Sequence, residues 1–170
     1  MIKYRPLCKA IEAGNLDDVK SFLHLHKDAI NQKITEYGET ALHLATSKGN
    51  TELVKELLKL MSDEGVEITD TDGFTALFTA AKIGATEIAE LLVKKNEKSL
   101  SMPKAGHIPV TVACTCGHKD TVLFLYSQTP LELLLREHGR YGALLLHQSI
   151  MHEMFGKTAP FIYILIIITS

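Results

Sequence analysis

Apolar residues in this chain recur in register with its glycines. With Gly14, Gly49, Gly84 and Gly117 aligned, at spacings of 35, 35 and 33 residues, the position seven before each glycine holds Leu7, Leu42, Leu77 and Val110. The position four before holds Ala10, Ala45, Ala80 and Ala113. A second stripe follows each glycine, with Val19, Val54, Ala89 and Val122 five residues on and Phe22, Leu57, Leu92 and Leu125 eight residues on. A period in the mid-thirties marks stacked structural repeats. Within a unit, the apolar spacing of three and four predicts two short amphipathic helices. Thr40 and Thr75 stand where a side-chain oxygen caps the first helix, and Pro6 and Pro109 stand one residue further on, where a missing N–H costs nothing. The glycine ends that helix, because the C-terminal turn needs a positive φ that glycine adopts without steric penalty. A polar loop then leads to the next unit, as in Thr69 to Gly73, where Asp72-Gly73 is a tight-turn dipeptide. Neither helix can bury its stripe within one unit, so the units must stack, and the expected fold is an all-α solenoid of helix-turn-helix units.

Composition narrows what such a stack can do. Eighteen Lys and Arg against 20 Asp and Glu, a net charge of -2, give no long-range pull toward nucleic acid or anionic lipid. Five Tyr, six Phe and no Trp imply a core built from aliphatic side chains. Three cysteines do not make a disulfide framework, and Lys3, Arg5 and Pro6 occupy the place where a signal peptide needs an apolar run. A reducing, cytoplasmic setting is therefore expected.

The residues around two of the aligned glycines carry a family resemblance. Gly38-Glu39-Thr40-Ala41-Leu42-His43-Leu44-Ala45 resembles the Gly-x-Thr-Pro-Leu-His-x-Ala signature of the ankyrin repeat, and Asp72-Gly73-Phe74-Thr75-Ala76-Leu77-Phe78-Thr79-Ala80 repeats it with Phe78 in the histidine position. The copies around Pro6-Leu7 and Pro109-Val110 are degraded. A fifth copy beginning at Gly142 is incomplete, with Leu146 and His147 in register but Glu153 where a glycine belongs. The resemblance implies an array over residues 4–150 of about four repeats plus this fifth, and an irregular apolar tail over 151–170. It implies structural roles for Thr40, Leu42, His43, Gly49, Thr75, Leu77, Gly84, Pro109 and Gly117, with the His43 ring bonding backbone. The opening Tyr4-Arg5-Pro6-Leu7-Cys8-Lys9-Ala10, the block Gly106-His107-Ile108-Pro109-Val110, and the run from Gly117-His118-Lys119-Asp120 to Pro130 are also similar to plant ankyrin proteins that carry a membrane-embedded Pro-Gly-Gly domain. Those proteins act in stress and defence signalling from the cytosolic face of a membrane. No Pro-Gly-Gly occurs in this chain.

Other chemistry finds little footing. Residues 158–170 are uncharged but too few to span a bilayer, which takes about 20. They read as packing for a broken fifth repeat, as a membrane contact, or as an aggregation-prone strand. Cys114 and Cys116 lack the second pair that a zinc site needs, and Cys114 falls at a core position. Gly156-Lys157-Thr158 resembles the end of a phosphate loop, yet Met151 stands where the first glycine should be. Lys94, Lys95, Lys98 and Lys104 read as cations at a helix C-terminus and the loop beyond. No nucleophile has a placed base, so no enzyme, cofactor, metal or small-molecule substrate is expected.

In a repeat stack each position becomes a row, and the rows not used for stacking are free to bind. From the resemblance, the turn tips supply Tyr37, Glu39, Asp72, Phe74, Ala105, His107 and Tyr141. The exposed side of the first helices supplies Leu44, Ser47, Lys48, Thr79, Lys82, Ile83, Val112, Thr115 and Cys116. The tip aromatics either anchor a partner or fold onto the neighbouring turn. The expected function is a non-enzymatic protein-interaction adaptor. The alternative is the signalling arm of a membrane-anchored Pro-Gly-Gly-type protein, touching the membrane only indirectly or through the tail.

Overall fold

The computed structural model describes residues 2–152. Ten α-helices lie among the described residues: α1 (Arg5–Glu12), α2 (Leu16–Leu25), α3 (Ala41–Ser47), α4 (Thr51–Leu60), α5 (Ala76–Ile83), α6 (Thr86–Lys95), α7 (Pro109–Thr115), α8 (Lys119–Gln128), α9 (Leu131–Leu134) and α10 (Arg136–Met151). Helices α1, α3, α5, α7 and α10 pack one on the next as an inner layer, and α4, α6 and α8 do the same in an outer layer. Between the layers run the apolar rows. Leu7, Leu42, Leu77 and Val110 are at most 1% exposed, and burial of such a side chain contributes about 1.5–3 kcal/mol. The alanines beside them, Ala45, Ala80 and Ala113, are fully buried, as small residues must be where inner helices approach closely.

The alanine and the glycine of each unit form one local device. Gly14, Gly49, Gly84 and Gly117 hold φ of 67°, 66°, 74° and 79°. With the chain turned this way, the amide after each glycine reaches back to the carbonyl of the unit's alanine: Asn15 to Ala10, Asn50 to Ala45, Ala85 to Ala80 and His118 to Ala113, at 2.9–3.2 Å. This six-to-one bond closes the end of the inner helix. At the other end, Thr40 Oγ1 accepts from the His43 amide at 3.5 Å and Thr75 Oγ1 from the Phe78 amide at 3.4 Å.

Two features depart from the sequence reading. Each outer helix of the first three units is followed by a 3-10 turn (Lys27–Asn31, Asp63–Glu67, Glu97–Ser101) rather than by open loop, and each turn plugs the core with Ala29, Val66 or Leu100. The fifth unit is also built differently. The chain passes from Pro130 through α9 directly into α10, so Gly142, read as a tip glycine, lies inside α10. Tyr141 is consequently no tip residue: it is 3% exposed and belongs to the core. Leu145 is the fully buried leucine of α10, Leu146 is half-buried and His147 is exposed, so His147 does not take the place of His43. The apolar tail at 158–170 lies outside the described residues.

A Cβ added at Gly49 would meet nothing within 4 Å, whereas one added at Gly84 would lie 2.5 Å from His118 Nδ1. Gly49→Val therefore tests backbone strain alone, and chemical denaturation should show a loss of about 1–3 kcal/mol. Gly84→Val, which adds a clash to the same strain, should lose more; equal stability of both variants and the parent would place the helix ends elsewhere.

Candidate protein-interaction surface

Three tight turns project from the inner layer. Ile34 N–H donates to Glu39 O at 2.7 Å, Asp70 N–H to Phe74 O at 2.9 Å, and Lys104 and His107 exchange both backbone bonds at 2.8 and 2.9 Å. Gly38, Gly73 and Gly106 occupy the left-handed corner of these turns. The first two are coupled, because the Thr71 N–H and hydroxyl both donate to Tyr37 O at 2.9 and 2.8 Å.

His43 ties the second turn to the helix before it. Its Nδ1 faces the Thr40 amide at 3.3 Å and the Thr40 hydroxyl at 2.8 Å, while Nε2 lies 3.0 Å from Phe74 O. An amide N–H can only donate, so Nδ1 accepts and the proton sits on Nε2, from which it is given to the Phe74 carbonyl. The ring is 2% exposed. Burial pushes its pKa below the ordinary 6.5, against the smaller opposing pull of the Phe74 carbonyl. In the third unit Phe78 replaces the histidine and its ring packs on Phe74, centroids 5.6 Å apart. In the fourth, Thr111 Oγ1 accepts from the Ile108 amide at 3.0 Å, so a hydroxyl does the local half of the histidine's work.

The turns and inner helices enclose two hollows on the concave side. The first, about 460 Å³, includes Arg5, Glu12, Glu36, Tyr37, Glu39 and Leu44 in its lining. The second, about 510 Å³, is lined by residues of the second and third turns and of α5 and α7, among them Phe74, Phe78, Lys82, Ile83, Lys104 and Val112. Glu39 lines both.

The structure brings most of the residues singled out from the sequence to this surface. Tyr37 is 70% exposed at its turn, Asp72 is exposed, and Glu39, Phe74 and His107 are half-buried. Neither aromatic reading covers both rings: Tyr37 stands free of the turn while Phe74 leans on Phe78. Ser47, Lys48, Lys82, Ile83, Thr115 and Cys116 are exposed, and Thr79 and Val112 are half-buried. Leu44 needs correction. It is 7% exposed and belongs to the core, so it floors the first hollow rather than standing exposed on its helix, whereas the equivalent Thr79 and Val112 are half-buried. Glu12 and Glu36 escaped the sequence reading, and Phe78 and Lys104, read there as the residue in the histidine position and as a loop cation, were not assigned to this surface, although each falls in a row of the repeat register. His107 Nδ1 is buried without a hydrogen-bond partner among the described residues.

A family model described as ankyrin repeats (three copies) matches residues 3–68 and again 59–133. The chain belongs to the ankyrin-repeat family. No curated protein matches it at a significant level of similarity. Ankyrin repeats are protein-interaction scaffolds rather than catalysts, and the exposed concave face of this ankyrin array is in keeping with that role. Among the described residues no helix is long and apolar enough to cross a membrane.

The His43 bridge makes the array sensitive to acid. The unfolded chain takes up a proton at this ring near pH 6.5, while the folded ring resists until a lower pH. Stability contributed by the neutral ring is complete above that value and falls as pH drops below it. Urea midpoints measured at pH 7.5 and 5.5 should drop more for the parent than for His43→Asn, which cannot titrate; equal drops would remove His43 as a source of acid sensitivity.

Proposed function

We propose that this chain is a non-enzymatic adaptor that holds a protein partner in the concave trough, with Tyr37 and Phe74 as aromatic anchors. The observation that carries this reading is the exposure of Tyr37 and Ile83, at 70% and 41%, beside a trough whose polar groups include Asp72, Glu39, Lys82 and Thr115. Exposed aromatics at the edge of a concave surface are the residue type that dominates interface energetics. Ser47, Lys48, Thr79, Val112 and His107 complete the surface around them.

The sequence similarity over residues 4–150 supports a finer reading, in which the adaptor works in plant stress or defence signalling at the cytosolic face of the plasma membrane. Under this reading the chain either shares partners with membrane-anchored relatives or is itself the arm of one.

Proximity capture in cells, comparing the parent with a Tyr37→Ala/Phe74→Ala variant of unchanged helix content and melting temperature, tests the first reading. Partners crosslinked to the parent should drop by about tenfold or more in the variant, matching a loss of about 1.4 kcal/mol or more. Equal capture by both would take the trough out of the interface. For the finer reading, the tagged chain expressed in plant cells with and without residues 158–170 should divide between cytosol and salt-washed membranes. Retention of only the intact form would make the tail the anchor, and a wholly cytosolic distribution of both would end the membrane reading.

A further inference from the structure

The two ends of the stack are finished differently. Ion pairs show which side of each outer helix meets the next: Lys20 of α2 reaches Glu56 of α4 at 3.0 Å, and Lys55 of α4 reaches Glu87 of α6 at 3.0 Å. Lys20 and Lys55 stand six residues after their glycines, on the side toward the following unit. Glu56 and Glu87 stand seven and three residues after theirs, on the side toward the preceding unit. In the first unit those preceding-side places hold Ser21 and Asp17, both polar and exposed, as the terminal unit of a repeat array requires.

The far end is apolar instead. On α8, half-buried Leu123 takes the place of Lys20 and Lys55, so it faces the side where a fifth outer helix would lie. Tyr126, three residues on and on the same helical face, takes the place of Leu23, Leu58 and Val93; those are 5%, 7% and 3% exposed, whereas Tyr126 is only half-buried. The chain is also set up to continue the layer. His118 opens α8 and has Nε2 2.9 Å from the carbonyl of Lys82, and His152 makes the same contact at 3.1 Å with the equivalent carbonyl of Thr115. His152 therefore stands at the joint where an inner helix hands over to an outer one. Counted back from that joint, Leu144 takes the place of Val110, and it is half-buried where Leu7, Leu42, Leu77 and Val110 are at most 1% exposed. Among the described residues, no helix follows to cover Leu123, Tyr126 and Leu144.

We infer that residues 153–170 of this chain are the occupant of that face, seated over Leu123, Tyr126 and Leu144 so that they close the open end of the stack. Their chemistry suits the seat: Met154, Phe155 and the run from Phe161 to Ile168 are apolar, and Glu153 and Lys157 are the only charges. Their attachment suits it as well. The segment starts at His152, beside the face it covers, and a tethered segment meets its site at an effective concentration of millimolar order, well ahead of a second copy or a free partner. Apolar area is withdrawn from water on both sides of the contact, which is the driving force for seating. This closure is independent of what the concave trough binds. A run of residues seated on α8 is not at the same time inserted in a bilayer, so closure and a tail-held membrane anchor exclude each other.

The test uses the full chain with the photo-crosslinking residue p-benzoylphenylalanine in place of Leu123 or, as a control at the polar end, of Ser21. Circular dichroism checks that each keeps the parent's helix content, and mass spectrometry maps the crosslinks. Irradiation should join position 123 to residues within 153–170 of the same chain, and position 21 to none of them. A second measurement leaves α8 unaltered: hydrogen exchange is followed in the parent and in Ile164→Asp/Ile167→Asp, which puts charge into the apolar run. Amides of α8 should exchange about tenfold or more faster in the variant, while those of α2 and α4 keep the parent's rates. Crosslinks from position 123 that join two chains would seat a second copy on the face. No crosslink to 153–170, with α8 exchanging equally in parent and variant, would leave the face open. Either outcome overturns the inference.

Discussion

An inner helix of this array runs for only seven or eight residues in each of the first four units, and an outer helix for ten. Helices of this length are marginal at best in water, so none exists except by packing on its neighbours. That constraint explains why the strongest features of the chain sit at unit junctions. The apolar rows are buried between layers and between units at once, and the His43 ring spends one nitrogen on its own helix start and the other on the following turn. The Thr71 hydroxyl and amide fasten that same turn to Tyr37. Each bond joins groups that would otherwise face water or be buried without partners, which makes the junction rather than the helix the unit of stability.

Much of this was legible in the chain because the physics that fixes it is local and repeats. The left-handed turn at Gly49 and Gly84 demands one residue type at one spacing, and the Leu and Ala rows before it follow from a single helical face. Features that depend on what happens once were not legible. The 3-10 turns bury Ala29, Val66 and Leu100, three different residues in polar surroundings, and leave no common mark. The last unit abandons the turn that sets the register, so Tyr141 reads as a tip from its Gly142 neighbour and yet lies in the core of α10. Leu44 fell on the wrong side of a boundary because its row contains Thr79 and Val112, whose shorter side chains do not reach inward as far.

The two faces of the array thus differ in what they leave unfinished. Outside, ion pairs link α2 to α4 through Lys20 and Glu56 and α4 to α6 through Lys55 and Glu87, and although exposed pairs contribute little each, they neutralise the surface they cover. Inside, the backbone is tied into turns and caps while the side chains that project from it present charges of both signs beside apolar area. A rigid backbone with uncommitted side chains is the arrangement in which a partner binds without first reorganising its receptor.

The cap on the inner helix α5 extends beyond its own unit. His118 Nε2 donates to the Lys82 carbonyl at 2.9 Å from one unit ahead, and His152 does the same for the Thr115 carbonyl at 3.1 Å. Each of these two ends is thus finished by a residue that arrives one period later, whereas Asn50 and Ala85 hold the corresponding place at the two earlier joints. A block of one full period can be gained or lost from the middle of such a chain and leave the apolar rows in register, whereas a cut of half a period sets an inner helix where an outer one belongs. The permitted lengths of the array are therefore quantised in whole repeats.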